Sequence, residues 1–496
     1  MFYRNDLIGK KSKEKTFEFD MFSQTQNVTE DETTLKVGEP KRVYNFISAD
    51  GTLKSGYGFK ALSMPTSETD IENEVEIPIR GTMVKTIWKL KWYNSIDDVN
   101  SYFLFYFNDD ADICYDNLFK TRYLTLIQHT SYTETPYATY YRKNGNDAIM
   151  LSGEGGNLMV ITGSNIYTSD SAPQIISCCN HYGKLFAITA TARGTLVYNE
   201  NSDILTWEDD KTKDLDFGDE RGDLNKIMSF NDYLYLFRDF GITQVSEYGS
   251  DDDLAVSHIY QSDAYIYPNT IAQAGDNIYF LEGDSLKYFN GSSVKEIKLD
   301  CLGLLKGQDN RFAFGECFNG KYYLACRGNF NDGQKVGCES YEGGYNNNIL
   351  MIIDPSTCHV DLIRGVDINE LLALTNKFKS KLIACYYNEN IGKIGEITTD
   401  GKLFGEITPA VWESGKTDFG YSGQTKRIKS FLIKSEGNCK VTFESEKQTK
   451  SFKVNGKSNV QKIKANVLGN QFKVKIESSE SENVYISNFV LTVSVS

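Results

Sequence analysis

The chain has 496 residues and a formal net charge of −14, with 40% hydrophobic residues, 31 Tyr and 29 Phe against 8 Pro and 4 Trp. This length suits two or three domains, and abundant aromatic residues favour half-buried pleated surfaces over helices. The acidic balance argues against a protein that grips DNA phosphates over a clustered basic face. No run of about 18 apolar residues occurs, so no transmembrane helix is expected, and Met1–Lys11 lacks the apolar stretch of a secretory signal.

From the N-terminus, Val43–Ile47 and Gly56–Phe59 flank the turn Ala49-Asp50-Gly51-Thr52 and predict a hairpin. Ser67–Glu76 is acidic and reads as an exposed loop, whereas Lys85–Trp92 alternates as a strand does. Tyr102–Phe107 and Tyr123–Ile127 form a further strand pair.

A short phrase then recurs six times, starting at Gly156, Gly183, Asn231, Asp276, Gly320 and Ser380. Each copy is a turn residue, a polar residue and four apolar or aromatic residues, as in Gly183-Lys184-Leu185-Phe186-Ala187-Ile188. A second strand follows most copies after a polar turn, for example Leu286–Phe289 after Glu282–Ser285. The intervals are 27, 48, 45, 44 and 60 residues, and a four-stranded propeller blade takes roughly 40–50. The short interval suggests a first unit that is incomplete or differently aligned. The long one holds an insertion, Arg327–Asn348, rich in Gly and Asn. Four consecutive apolar residues imply burial on both faces, as in stacked blades. The expected fold is therefore all-β, a β-propeller of six or seven blades. A generic antiparallel sandwich with a chance resemblance between strands is the alternative. The best helix candidate is Asp367–Lys377.

From Gly405 the character changes. Ile428–Ile433, Lys440–Ser445, Phe472–Ile476 and Val484–Val495 alternate with period two, one apolar and one wet face each, which predicts a small C-terminal β-sandwich. Residues 405–496 carry 14 Lys and Arg against 9 Asp and Glu, a net of +5, so the remainder nets −19. A solvated Lys-rich face explains this, and docking on an acidic neighbour, including a second copy of the chain, is the sharper reading. The expected division is 1–95, N-terminal strands and an arm that partly closes the propeller; 96–404, the propeller; and 405–496, the sandwich.

The search for chemistry yields no catalytic, cofactor-binding or metal site residues, and no cofactor. The ten Cys contain no CxxC pair and are expected to be reduced core thiols. The four His (His129, His181, His258, His359) are not at ligand spacing. Gly315–Lys321 mimics a phosphate loop, but Tyr322 replaces the required Ser or Thr and Lys321 opens a strand of the repeat. Asn108–Asp112 and Asp251–Asp253 are acidic turns without the Gly and distal Glu of an EF-hand.

The opening Val43–Phe46 with Asp50–Phe59, the run Gly415–Gly420 with Thr425–Ser430, and the closing strand Tyr485–Thr492 resemble bacteriophage virion proteins called stabilisation proteins. The layout is similar to tail nozzle or hub proteins of short-tailed phages, which carry a β-propeller in each subunit of a ring around the DNA exit channel. The resemblance implies a non-enzymatic structural tail protein, present in the virion and synthesised in the host cytoplasm. Its implied partners are six or twelve copies of itself, the portal, adaptor and other tail proteins, and DNA in transit without specific binding. No membrane segment is implied. A carbohydrate- or receptor-binding tail propeller is the alternative, with Tyr341 and Tyr345 suited to sugar stacking, and a propeller glycosidase comes third.

Overall fold

The computed structural model describes most of the chain from Lys13 to Val495, apart from short stretches, chiefly 19–25, 62–66, 71–74, 79–83, 95–98, 117–124, 200–203, 208–211, 249–252, 341–346 and 376–379. It is almost entirely β. Six four-stranded antiparallel blades follow one another along the chain, and a seventh blade after them forms part of a six-stranded sheet. Blade I begins with Val84–Asn94, blade II with Tyr137–Lys143, blade III with Ile175–His181 and blade IV with Leu224–Phe230. Blades V, VI and VII begin with Ala272–Ala274, Phe314–Phe318 and Ile368–Thr375. These first strands are the innermost of each blade.

The recurring phrase has a direct physical basis. In blade III, Leu185 and Ala187 pack against Met150 and Val160 of blade II, while Phe186 and Ile188 pack against Ile227, Leu234 and Leu236 of blade IV. Adjacent residues of one strand point to opposite faces, so a strand wedged between two blades must be apolar at every position. Each further junction has its own apolar cluster. The ring closes where Leu372, Leu374 and Ile383 of blade VII meet Val84, Ile87 and Leu104 of blade I.

Five of the six phrases are second strands of blades III–VII. The first, around Leu158–Thr162, is instead the third strand of blade II; the true second strand is Asn146–Ser152, with Ala148–Leu151 as its apolar run. That explains the 27-residue interval. The early pair Tyr102–Phe107 and Tyr123–Ile127 falls in blade I, within Val99–Asn108 and around Thr125–His129.

Three expectations are corrected. The helix candidate at Asp367–Lys377 is a strand, Ile368–Thr375, as far as the described residues reach. Ile368, Leu371, Leu372 and Leu374 are all buried between blades, and that packing overrides local helix propensity. Ser67–Glu76 is not a loop but a hairpin of Ser67–Asp70 with Val75–Pro78. The turn at 49–52 does join a hairpin, but its arms are Phe46–Ala49 and Thr52–Ser55. The flanking strands Pro40–Tyr44 and Gly58–Ala61 leave for two other sheets.

Gly58–Ala61 is the fourth strand of blade VII, antiparallel to Ile391–Thr398 and flanked on its other side by Lys402–Leu403, so an N-terminal strand closes the propeller. Phe59 is buried against Tyr386 and packs with Leu371 and Leu382. A Cβ at Gly58 would lie 2.4 Å from the Lys402 carbonyl oxygen, so only glycine admits this close approach.

The sandwich has two sheets. One runs Phe46–Ala49, Thr52–Ser55, Tyr485–Val495, Lys426–Glu436 and Lys457–Gly469, with Lys13–Glu18 added to Tyr485–Val495. The other runs Pro40–Tyr44, Val411–Ser414, Phe472–Ser478, Cys439–Ser445 and Thr449–Val454. Trp412, Phe431, Phe443, Phe472 and Phe489 fill the space between them. Strands from the first 60 residues are thus woven into both the sandwich and the propeller.

Candidate functional site: the propeller axis and the sandwich junction

The chemistry-bearing motifs of the sequence do not converge. Gly320 sits in a turn with φ 76°, and Lys321 begins the strand Lys321–Cys326, not a helix. In the acidic turn after blade I's second strand, Asn108 Oδ1 accepts from the Asp110 and Asp112 amides, and Asp112 pairs with His129 at 2.7 Å. Asp251 and Asp252 lie outside the described residues, as do Tyr341 and Tyr345. His181 meets Ser229, His258 meets Thr243 and His359 meets Asp361, so the four histidines serve four separate places. None of the ten cysteines forms a disulfide, and seven of them are buried. Burial raises the Cys179 thiol to about 11. Among the described residues, no group of three or more His, Cys, Asp and Glu side chains is placed to hold a metal ion.

The structure does bring together a set of charges that sequence reasoning missed, along the propeller axis. Innermost strands of neighbouring blades do not share a β-ladder, which leaves backbone groups on the axial edge in need of partners. Side chains from adjacent blades supply them. Lys89 Nζ of blade I donates to the Ala373 carbonyl of blade VII at 2.8 Å, and Lys226 Nζ of blade IV donates to the Ile271 carbonyl before blade V at 2.7 Å. Glu370 of blade VII accepts from Thr86 Oγ1 at 2.6 Å and the Ile87 amide at 3.0 Å, both in blade I. Tyr140 Oη of blade II accepts from the Lys89 amide, and Ser177 Oγ of blade III accepts from the Ile227 amide of blade IV. Glu316 of blade VI lies within the fields of both Lys89 and Lys226.

Enclosure by seven blades shifts these groups. Desolvation raises the Glu370 carboxyl to about 7 against the stabilising hydrogen bonds from Thr86 and Ile87, with the nearby Glu316 charge adding to the rise. Desolvation also raises Glu316, and it lowers Lys226 to about 8. Glu370 and Lys226 are thereby both drawn toward neutral pH. The polar atoms of the set are spent on backbone groups, which makes it a seam between blades. The only sequence signal was a lone charge in the first strands of blades IV, VI and VII, and alternating lysines in that of blade I.

This seam yields a pH-dependent stability. A carboxyl raised in the fold contributes stability that is fully present below its unfolded value, near 4.5, and lost as pH rises through its folded value, about 7. Glu370→Gln keeps an acceptor for Thr86 and Ile87 without the ionisation. The variant is expected to melt close to wild type at about pH 5 and above it at about pH 8. Thermal melts that stay parallel across this range would show that Glu370 ionises freely.

The second constellation joins the two units. The insertion Arg327–Asn348 lies between the second and third strands of blade VI, and its described residues 330–339 wrap Arg364, whose side chain is only 3% exposed. Its guanidinium donates to Asp332 at 2.7 Å, to Glu339 at 3.1 Å and to the Gln334 carbonyl at 2.8 Å. It also stacks over Phe330 at 4.2 Å and Tyr44 at 5.0 Å. Burial works against the Arg364 charge, but Asp332 and Glu339 outweigh it and hold the proton more tightly than usual. Arg42, on a sandwich strand, bridges Asp332 and Glu413, and Lys473 also pairs with Glu413.

Beside it, Asn45 turns the chain with φ 61°. Its amide donates to the Leu362 carbonyl at 2.7 Å, and its side chain accepts from the Arg364 amide while donating to the Pro409 carbonyl. Ser48 adds an amide bond to Asp361, and Tyr44 and Val411 extend the apolar cluster between blades V and VI. The sandwich is therefore fixed on blade VI by polar and apolar contacts together.

These features define the class: a seven-bladed β-propeller closed by an N-terminal strand and carrying a docked β-sandwich. No family model matches the chain, and no curated protein matches it. Solved structures similar to it include YCF48 bound to a D1 peptide, at 8% identity and TM-score 0.36, covering 69% of this chain and 97% of that one. A fungal alcohol oxidase of the AA5 family in complex with copper aligns at 9% identity and TM-score 0.42, covering 80% and 93%. BamB from Moraxella catarrhalis aligns at 10% identity and TM-score 0.32, covering 68% and 97%. None of these likenesses bears on what this chain does. No helix among the described residues is long and apolar enough to cross a membrane.

Proposed function

We propose that the chain is a non-enzymatic structural component of a bacteriophage tail, one subunit of a nozzle- or hub-type ring around the DNA exit channel. The observation that carries this reading is the fixed junction. A propeller-bearing portion with net charge −19 is locked to a segment of net charge +5 through Arg364, Asp332, Glu339, Arg42 and Asn45. A closed ring needs two different, complementary surfaces held at a constant angle, and a rigid block with oppositely charged ends supplies that. The sequence resemblance at 43–59, 415–430 and 485–492 points the same way. A net charge of −14 suits a subunit past which DNA slides, because it offers phosphates little grip. The ring would sit between portal or adaptor proteins and the rest of the tail, and it needs no cofactor.

Negative-stain images of the purified chain test the reading. Rings of six or twelve subunits with a central hole are expected. Isolated two-lobed particles that bind glycans saturably would replace it with the carbohydrate-binding alternative.

A further inference from the structure

We infer that the Lys-rich edge of the sandwich docks on the acidic outer edge of blade III in a second copy of this chain. The inference takes its partner from the ring reading and names the surfaces that would make the contact.

Between Lys447 and Lys475 the sequence holds eight Lys and no Asp or Glu. Thr449–Val454 and Lys457–Gly469 carry most of them, and they are edge strands of the two sandwich sheets, joined by Asn455 and Gly456. Each pairs on one side only among the described residues. Residues 455–460 are exposed without interruption, and Val460 stands half exposed. Lys473 and Lys475 are paired with Glu413 and Glu477. Lys453, Lys457 and Lys464 are exposed and have no carboxylate partner among the described residues. Lysines on an open edge deter self-pairing of like strands. The same edge still offers backbone donors and acceptors to a strand of opposite charge.

The complementary surface lies on the propeller. Among the described residues, Thr212–Glu220 holds four Asp and Glu against one Lys. Within it, Thr212–Asp216 is the outermost strand of blade III and pairs only with Thr195–Asn199 among the described residues. Its Asp214 and Asp216 are exposed. Position supports the match. The sandwich is anchored on blade VI, three blades away from blade III round the seven-bladed ring, so the basic and acidic edges belong to different surfaces of the subunit. A contact between different surfaces propagates from subunit to subunit, which is the heterologous geometry a ring requires.

The test measures self-association of the full chain by sedimentation velocity. Wild type is compared with a triple variant (Lys453→Glu, Lys457→Glu, Lys464→Glu) and a double variant (Asp214→Lys, Asp216→Lys). Circular dichroism melts confirm that each variant folds. Each alone is expected to associate at least about tenfold more weakly than wild type, because like charges then face each other. An equimolar mixture of the two is expected to recover association, since every contact is again between opposite charges. Variants that assemble as wild type does would overturn the inference and leave the ring reading standing. Wild-type dimers or open filaments that the triple variant dissolves would keep the inference and remove the ring. A wild type that stays monomeric at every concentration would overturn both.

Discussion

Replacing Arg364 with Met is expected to destabilise the chain by about 3–5 kcal/mol, the cost of removing one partner from a buried ion pair. Met retains much of the contact with Phe330 and Tyr44 but leaves Asp332 and Glu339 facing each other without their shared cation. Asp332 would suffer most, since it is 6% exposed and is left with Arg42 at 3.7 Å. In the intact protein, burial tends to raise the Asp332 carboxyl, but hydrogen bonds and charge from Arg364 hold it below the usual range. A carboxylate depressed in the fold contributes stability above its unfolded value, near 3.8, that is lost as pH falls through its folded value. The junction should therefore loosen in acid, and Arg364→Met should remove that acid dependence as well as lower the denaturation midpoint. Urea titrations at about pH 7 and about pH 3 check both effects. An unchanged midpoint would mean that the contacts of Tyr44, Asn45, Ser48 and Val411 hold the sandwich on blade VI without the Arg364 charge.

Phe59→Ala is expected to cost a similar amount, about 3–5 kcal/mol, through the cavity left by a deleted buried ring. Phe59 is 1% exposed and sits on the strand that completes blade VII. A propeller stands on contacts between successive blades, so weakening the closing blade exposes both its neighbours. The loss should appear as early protease cleavage near blades VII and I, before global unfolding. Cleavage distributed evenly over the chain would show that closure does not depend on this strand.

The Arg364 latch and the closing strand of blade VII differ in how far the sequence reveals them. The blades were legible because the physics of stacking is local. A strand between two blades must be apolar on both faces, and Leu185–Ile188 or Tyr322–Cys326 announce that in four or five consecutive residues. The sandwich was legible for the opposite reason, since strands such as Lys426–Glu436 have one wet face and alternate cleanly. The first strand of blade VII was misread because Ile368, Leu371 and Leu372 fit a helical stripe as well as a buried strand.

The destinations of the N-terminal strands were not legible. Nothing local in Pro40–Ala61 records that one strand joins the second sandwich sheet, the next two join the first, and the last closes blade VII. Those pairings span more than 300 residues. The Arg364 latch and the axial charges were hidden likewise. Arg364 meets Asp332 and Glu339 across an insertion that reads as a polar loop. Lys89, Lys226, Glu316 and Glu370 meet through four blades of one ring.

The central claim is that this rigid, charge-segregated block assembles into a closed ring. Its most direct test is the molar mass of the purified full-length chain, by light scattering coupled to gel filtration over a range of concentrations. The account predicts a discrete assembly of six or twelve copies of the 56.1 kDa chain. A single 56.1 kDa species at every concentration would contradict it.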